Sequence, residues 1–139
     1  MTTKLFEYTT ENFTIRLELR DYITFIVGES ATGKTYMGRC LEMLSVFHPE
    51  ILSLKTHHLD VLKSKFKSGM LVLLDMTEML SDAEAFQLSE WIRKNYTKGY
   101  FIIMDRAGLY LSREIGLLAD MSVNYANGHT TFGIVYRED

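Results

Sequence analysis

Between positions 28 and 35 the chain reads Gly28, Glu29, Ser30, Ala31, Thr32, Gly33, Lys34, Thr35, a G-x-x-x-x-G-K-T spacing, and no other stretch restricts the fold as tightly. An apolar β-type run, Ile23–Val27, leads in. A helical pattern leads out, with Tyr36, Met37, Cys40, Leu41, Leu44 and Phe47 near one stripe. A strand must therefore turn through a glycine-bounded loop into a helix. The glycines allow backbone angles closed to residues with a Cβ, so successive N–H groups can face an anion. The helix beginning near Gly33 points its unpaired N–H groups and the positive end of its dipole at the same place. Lys34 can set an ammonium on outer phosphates, and the Thr35 hydroxyl can hold Mg²⁺. Tyr36, the next residue, is placed to lie near a bound nucleotide.

Composition narrows the class. At 139 residues, one domain over 1–139 is expected. Hydrophobic residues at 47% and charged residues at 24% are enough for a real core and exclude a disordered chain. No apolar run has the length to span a bilayer, and the first seven residues lack the apolar core of an export signal. The single cysteine, Cys40, cannot form an internal disulfide and falls on the apolar stripe after the loop, which makes packing its role. The expectation is a cytoplasmic protein with no membrane partner. A net charge of −3 gives no general nucleic-acid footprint. The local basic run of Lys55, Lys63, Lys65 and Lys67 reads as a solvated helix face. His48, His57, His58 and His129 stand at no metal-ligand spacing.

In chain order, Lys4–Thr9 and Phe13–Leu19 alternate apolar and polar side chains and read as a hairpin of half-buried strands around Thr10, Glu11 and Asn12. After the first helix Pro49 breaks the pattern, Ile51–Leu54 is a short strand, and a helix capped by Thr56 or His57 runs to about Phe66. Residues 70–74 are five apolar residues ending at Asp75, the pattern of a buried parallel strand with a carboxylate at its C-terminal end. Ligands of open α/β sheets bind at that end. Ser81 and Asp82 cap a helix over 83–96, followed by a buried strand over 100–104. Residues 111–118 read as a short helix or an ordered loop. Residues 121–126 and 129–137 flank Asn127-Gly128, a tight hairpin signal.

The loop at 28–35 and the strand at 70–75 together resemble the Walker A and Walker B pair of the P-loop NTPases. The strand at 100–104 resembles the extra central strand of the branch holding AAA-type and ABC-type ATPases. The resemblance covers residues 22–104. It implies an α/β fold: a three-layer, mostly parallel P-loop sheet, carrying an N-terminal antiparallel hairpin and a C-terminal hairpin. It also implies ATP and Mg²⁺ as cofactors. Residues 28–36 would bind the nucleotide, Thr35 and Asp75 the metal, and Lys34 the transferring phosphoryl group.

The chain departs from that pattern in ways that bear on activity. In this branch a glutamate that activates water usually follows the Walker B aspartate; here Met76 does, and it cannot take a proton. Glu78 or Glu29 would have to substitute. Arg106 stands where the family often has a polar sensor, and Arg106 or Arg113 could reach a γ-phosphate in cis or from a neighbouring copy in a homo-oligomer. There is no L-S-G-G-Q signature, no lid domain and no N-K-x-D guanine motif, since Asn95-Tyr96-Thr97-Lys98 does not match it. The expected function is a Mg-dependent ATP-binding protein with slow or partner-dependent hydrolysis. The alternatives are a regulatory or interaction module that hydrolyses little, and a scaffold acting on a protein partner. A small-substrate phosphotransferase would need a lid and an acceptor site, for which little length remains.

Overall fold

The described residues form eight strands and three α-helices: β1 (Lys4–Thr9), β2 (Phe13–Leu19), β3 (Ile23–Val27), α1 (Lys34–Ser45), β4 (Ile51–Leu54), α2 (His58–Lys65), β5 (Leu71–Leu74), α3 (Asp82–Asn95), β6 (Tyr100–Ile103), β7 (Leu117–Ala126) and β8 (His129–Tyr136). The computed structural model describes residues 3–28, 33–104, 109–112 and 114–137. The described part of 111–118 is not helical: a turn closed by Ile115 N–H on the Ser112 carbonyl leads directly into β7.

The architecture corrects the expected three-layer, mostly parallel P-loop sheet. One mixed sheet runs in the order β1-β2-β8-β7-β3-β6-β5-β4 and bends into a half-barrel. The β1·β2 and β7·β8 pairs are antiparallel, while β2·β8, β3·β7, β3·β6, β5·β6 and β4·β5 are parallel. The two hairpins are not additions to a finished core. A parallel pairing of Phe13–Ile15 with Thr130–Phe132 joins them, and together they extend the sheet far enough to curl. Strand twist has a fixed hand, so rotation accumulates with each added strand. The bend brings opposite ends of the sheet into contact. The Tyr8 hydroxyl on β1 donates to Glu50 Oε1 at 3.0 Å, one residue before β4. The Tyr8 ring packs edge-on against His48 at 4.8 Å, and Phe6 meets Tyr100 of β6 at 5.5 Å.

The concave face closes on α1. Met37, Cys40, Leu41 and Leu44 pack there against Ile15 and Leu17 of β2, Ile26 of β3, Leu71 and Leu73 of β5, Ile102 of β6, Ala119 of β7 and Phe132 of β8. Burial pushes the Cys40 thiol pKa up, which suits a packing role. On the convex face of the parallel half, α2 and α3 bring Leu62, Leu88 and Ile92 onto Ile23, Phe25, Val72, Leu74, Phe101 and Ile103, joined by Leu109, Leu111 and Ile115. On β2 the alternation is complete, with Phe13, Ile15, Leu17 and Leu19 buried while Arg16 and Glu18 form an exposed ion pair at 2.9 Å. Helix α3 starts at a full capping box. The Ser81 hydroxyl accepts from Glu84 N–H and Glu84 Oε1 accepts from Ser81 N–H, both at 3.2 Å. Asn127 and Gly128, with φ of 54° and 76°, form the turn between β7 and β8. Among the described residues no helix is long and apolar enough to cross a membrane.

Candidate functional site

The glycine-bounded loop leaves the C-terminal end of β3, whose neighbours are β6 on one side and β7 on the other. Both glycines are left-handed, Gly28 at φ 107° and Gly33 at φ 92°. That region is costly for any residue with a Cβ, so a glycine is required at each end of the loop. Gly33 caps α1 without a side-chain hydrogen bond, and no acidic residue stands in the first turn. The positive end of the helix is therefore neither capped nor neutralised from within its own first turn. Lys34 Nζ donates to the Gly28 carbonyl at 2.9 Å and so draws the two ends of the loop together. Glu29, Ser30, Ala31 and Thr32 lie outside the described residues, as do Arg106 and Arg113.

Asp75 follows β5 directly and is fixed on several sides. Its N–H donates to the Leu54 carbonyl at 2.9 Å, which continues the β4–β5 ladder by one residue. His58 Nε2 lies 2.6 Å from the Asp75 carbonyl. A carbonyl only accepts, so Nε2 carries the proton. Oδ1 accepts from the Met76 N–H at 2.8 Å. Oδ2 faces α1, 3.6 Å from the point where a Cβ on Gly38 would lie. Thr35 stands three residues before Gly38, on the same side of the helix. The fold therefore sets Thr35 and Asp75 on one flank of α1. A hydroxyl and one carboxylate suit Mg²⁺, which takes one or two protein oxygens and fills its octahedron from phosphate and water. Among the described residues there is no group of three or more His, Cys, Asp or Glu side chains that would suggest a dedicated protein cage.

Met76 adopts φ 58°, uncommon for a non-glycine residue, and is exposed. It reverses the chain into a 3₁₀ turn, Thr77–Met79, on which Glu78 is exposed. Tyr36 points away from the Asp75 flank and packs edge-on against Phe132 of β8 at 5.0 Å, with half its surface exposed. Val123 of β7 borders the loop, its Cγ2 only 2.7 Å from the Cβ position that Gly33 lacks. Reading the sequence missed Gly38, Val123 and His58 as neighbours of the site. A glycine inside an otherwise apolar helix stripe was the one available signal, since such a residue often marks a close approach.

The larger clefts lie elsewhere. One of about 680 Å³ sits beside β4, between Pro49 and Met70, and another of about 390 Å³ lies along β4 between Glu42 of α1 and Val61 of α2, while a smaller one of about 140 Å³ lies between the start of α2 and α3. A small enclosed pocket is the usual place for an organic ligand, but phosphate cradles are formed by backbone at the surface. Gly28 and Thr35 are exposed, and neither lines these clefts. The chain matches no family model, no curated protein and no solved structure at a significant level.

Proposed function

We propose that the protein binds Mg·ATP through the loop at 28–35, with hydrolysis that is slow or dependent on a partner. One observation carries this reading. A strand, a loop bounded by left-handed glycines, Lys34-Thr35 at an uncapped helix start, and the Asp75 carboxylate all meet on one flank of α1. Loop amides and the helix end would hold the phosphates, with Lys34 turning from the Gly28 carbonyl to the outer phosphate oxygens. Thr35 and Asp75 would hold Mg²⁺, which when bound screens the charge of the phosphates. The reading rests on this local arrangement and not on a P-loop sheet.

A second reading, a nucleotide-dependent interaction module with little turnover, is favoured by Met76. The residue after Asp75 cannot take a proton, and Glu78 is exposed on a turn directed by a left-handed backbone. A partner protein, or a second copy of the chain, would then supply what completes the site. We also place the protein in the cytoplasm, where ATP is abundant and the buried Cys40 thiol stays reduced.

Titration calorimetry tests the reading. Mg·ATP binds to the native chain, and Lys34→Ala weakens binding by roughly two orders of magnitude, the scale for removing a charge-assisted partner. The variant keeps its fold, since Lys34 bonds only the Gly28 carbonyl among the described residues. An absence of heat at millimolar ATP would sink the proposal. Turnover of several per second by the isolated chain would overturn the slow-hydrolysis part, and Glu78→Gln would then show whether Glu78 is the base.

A further inference from the structure

The site has two unlike flanks, and the second has no role in phosphate or metal binding. Helix α1 carries Thr35 and Gly38 toward Asp75. Tyr36 stands about 160° round the helix from Gly38, at 3.6 residues per turn. Its ring meets Phe132 on β8. Sheet order agrees, because β6 and β5 lie on one side of β3 while β7 and β8 lie on the other.

On that other side the sheet outruns the strand that feeds the loop. The last pairing of β3 with β7 is Val27 with Asp120. From there β7 runs on through residues 121–126, turns at Asn127-Gly128 and returns as β8. At about 3.3 Å per residue the overhang is roughly 20 Å, long enough to carry a nucleoside. Val123 closes against Gly33, so the overhang forms a side wall of the phosphate loop. Side chains alternate along a strand, so Val123 and Tyr125 share the α1-facing side with Ala119 and Met121, which pack around α1. Phe132 and Thr130 stand opposite them across the hairpin. Tyr125 is 71% exposed, Tyr36 48% and Val123 45%. These three make an apolar, aromatic shelf beside the phosphate cradle, with the buried Phe132 ring beneath Tyr36.

We infer that this shelf is the nucleoside subsite, with Tyr125 as the stacking surface for the base. The inference rests on the nucleotide reading above. A triphosphate whose terminal phosphate meets Lys34 and the Thr35–Asp75 flank leads its sugar and base away from Asp75, toward β7 and β8. Stacking on a tyrosine face supplies affinity that phosphate contacts do not, and every base offers a π-face. The shelf is held open by structure: Tyr36 rests on Phe132, and Tyr125 is carried by a paired strand with its position set by the Asn-Gly turn.

The test separates phosphate affinity from base affinity by titrating Mg·ATP and inorganic tripolyphosphate with Mg²⁺ against the native chain, Tyr125→Ala and Tyr125→Phe. The native chain should bind ATP at least about tenfold tighter than tripolyphosphate. Tyr125→Ala should weaken ATP roughly five- to fiftyfold and leave tripolyphosphate unchanged, while Tyr125→Phe should keep ATP affinity. If both ligands bind the native chain and Tyr125→Ala alters neither, the shelf is not the base site, although the phosphate loop stands. If Tyr125→Ala weakens both ligands equally, Tyr125 acts on the loop and the stacking role is wrong. If neither ligand binds the native chain, the nucleotide reading and this inference fail together. Tyr125 is exposed, so its removal does not endanger folding.

Discussion

The two faces of the sheet are built for different ends. Among the described residues, two helices and Leu109, Leu111 and Ile115 cover the parallel half of the convex face, and an aromatic group seals the helices. Phe66 stacks edge-on to Trp91 at 5.2 Å, and both lie against Phe101, at 5.6 and 6.1 Å. Among the described residues the concave face is served by one helix, α1, which fills the half-barrel with its apolar stripe, begins at the proposed phosphate loop and approaches Asp75 at Gly38. The concave core is the larger of the two, with 17 described buried residues against 11. The proposed site therefore shares its helix with that larger core. A protein arranged this way can tolerate change at the site only where the helix stripe is untouched.

The strongest way to break this comparison is to empty the convex seal. Phe101 is fully buried between Phe66 and Trp91. Phe101→Ala should lose about 3–5 kcal/mol in urea unfolding, the usual cost of deleting a core aromatic. Phe101→Leu, a milder change in volume, should cost less and keep a folded chain to work with. ATP affinity of the folded fraction should be unaffected in Phe101→Leu. A large loss of affinity with a small loss of stability would show that the two faces are not separate.

A smaller effect of opposite sign comes from Gly38, the point where α1 approaches Asp75. Alanine is favoured over glycine within a helix by roughly 1 kcal/mol, and the added Cβ would make only an ordinary 3.6 Å contact with Asp75 Oδ2. Gly38→Ala should therefore raise thermal stability. Gly38→Val places methyl groups against the carboxylate, and the Mg-dependent part of ATP affinity should fall about tenfold, the scale for disturbing the setting of a metal ligand. If Gly38→Val binds Mg·ATP as tightly as the native chain, Asp75 does not serve the metal.

Local signals carried much of this into the sequence, and distance explains what they did not carry. Residues whose neighbours are close in the chain were legible: the alternation in β1 and β2, the Asn127-Gly128 turn, the Ser81 cap, and the apolar run ending at Asp75. The loop motif could be read as a candidate phosphate site because its glycines, Lys34 and Thr35 fall within the one short stretch 28–35. The sheet was not legible. Whether it stays a flanked parallel sheet or curls into a half-barrel depends on the pairing of Phe13 with Thr130, 117 residues apart, and no pattern in either strand names the other. The Val123–Gly33 approach depends on the course of β7, 90 residues further on, and the His58–Asp75 bond on how α2 packs beside the end of β5. His58 is 2% exposed, whereas in the sequence it is only one of four histidines at no metal-ligand spacing.

The smallest predicted effect concerns the curl itself, and pH reads it. Tyr8 on β1 holds the far side of the half-barrel through Glu50, and its hydroxyl proton is the link. Burial, then the hydrogen bond to Glu50 and the charge of that carboxylate, push the phenol well above its ordinary pKa of 10.0. The folded state therefore holds this proton more tightly than the unfolded chain. The stabilisation is complete below the unfolded value near 10 and declines as pH rises above it. Tyr8→Phe removes the bond and should cost about 1 kcal/mol at neutral pH, as expected for one partly buried hydrogen bond. Above the normal tyrosine range the native chain should lose stability faster than Tyr8→Phe, and the gap between them should close, since other tyrosines titrate equally in both. Denaturant midpoints for the two proteins from neutral to alkaline pH decide the matter. A gap that does not change with pH would mean that Tyr8 contributes by its ring against His48 and not by its proton, and that the ends of the half-barrel are held by packing alone.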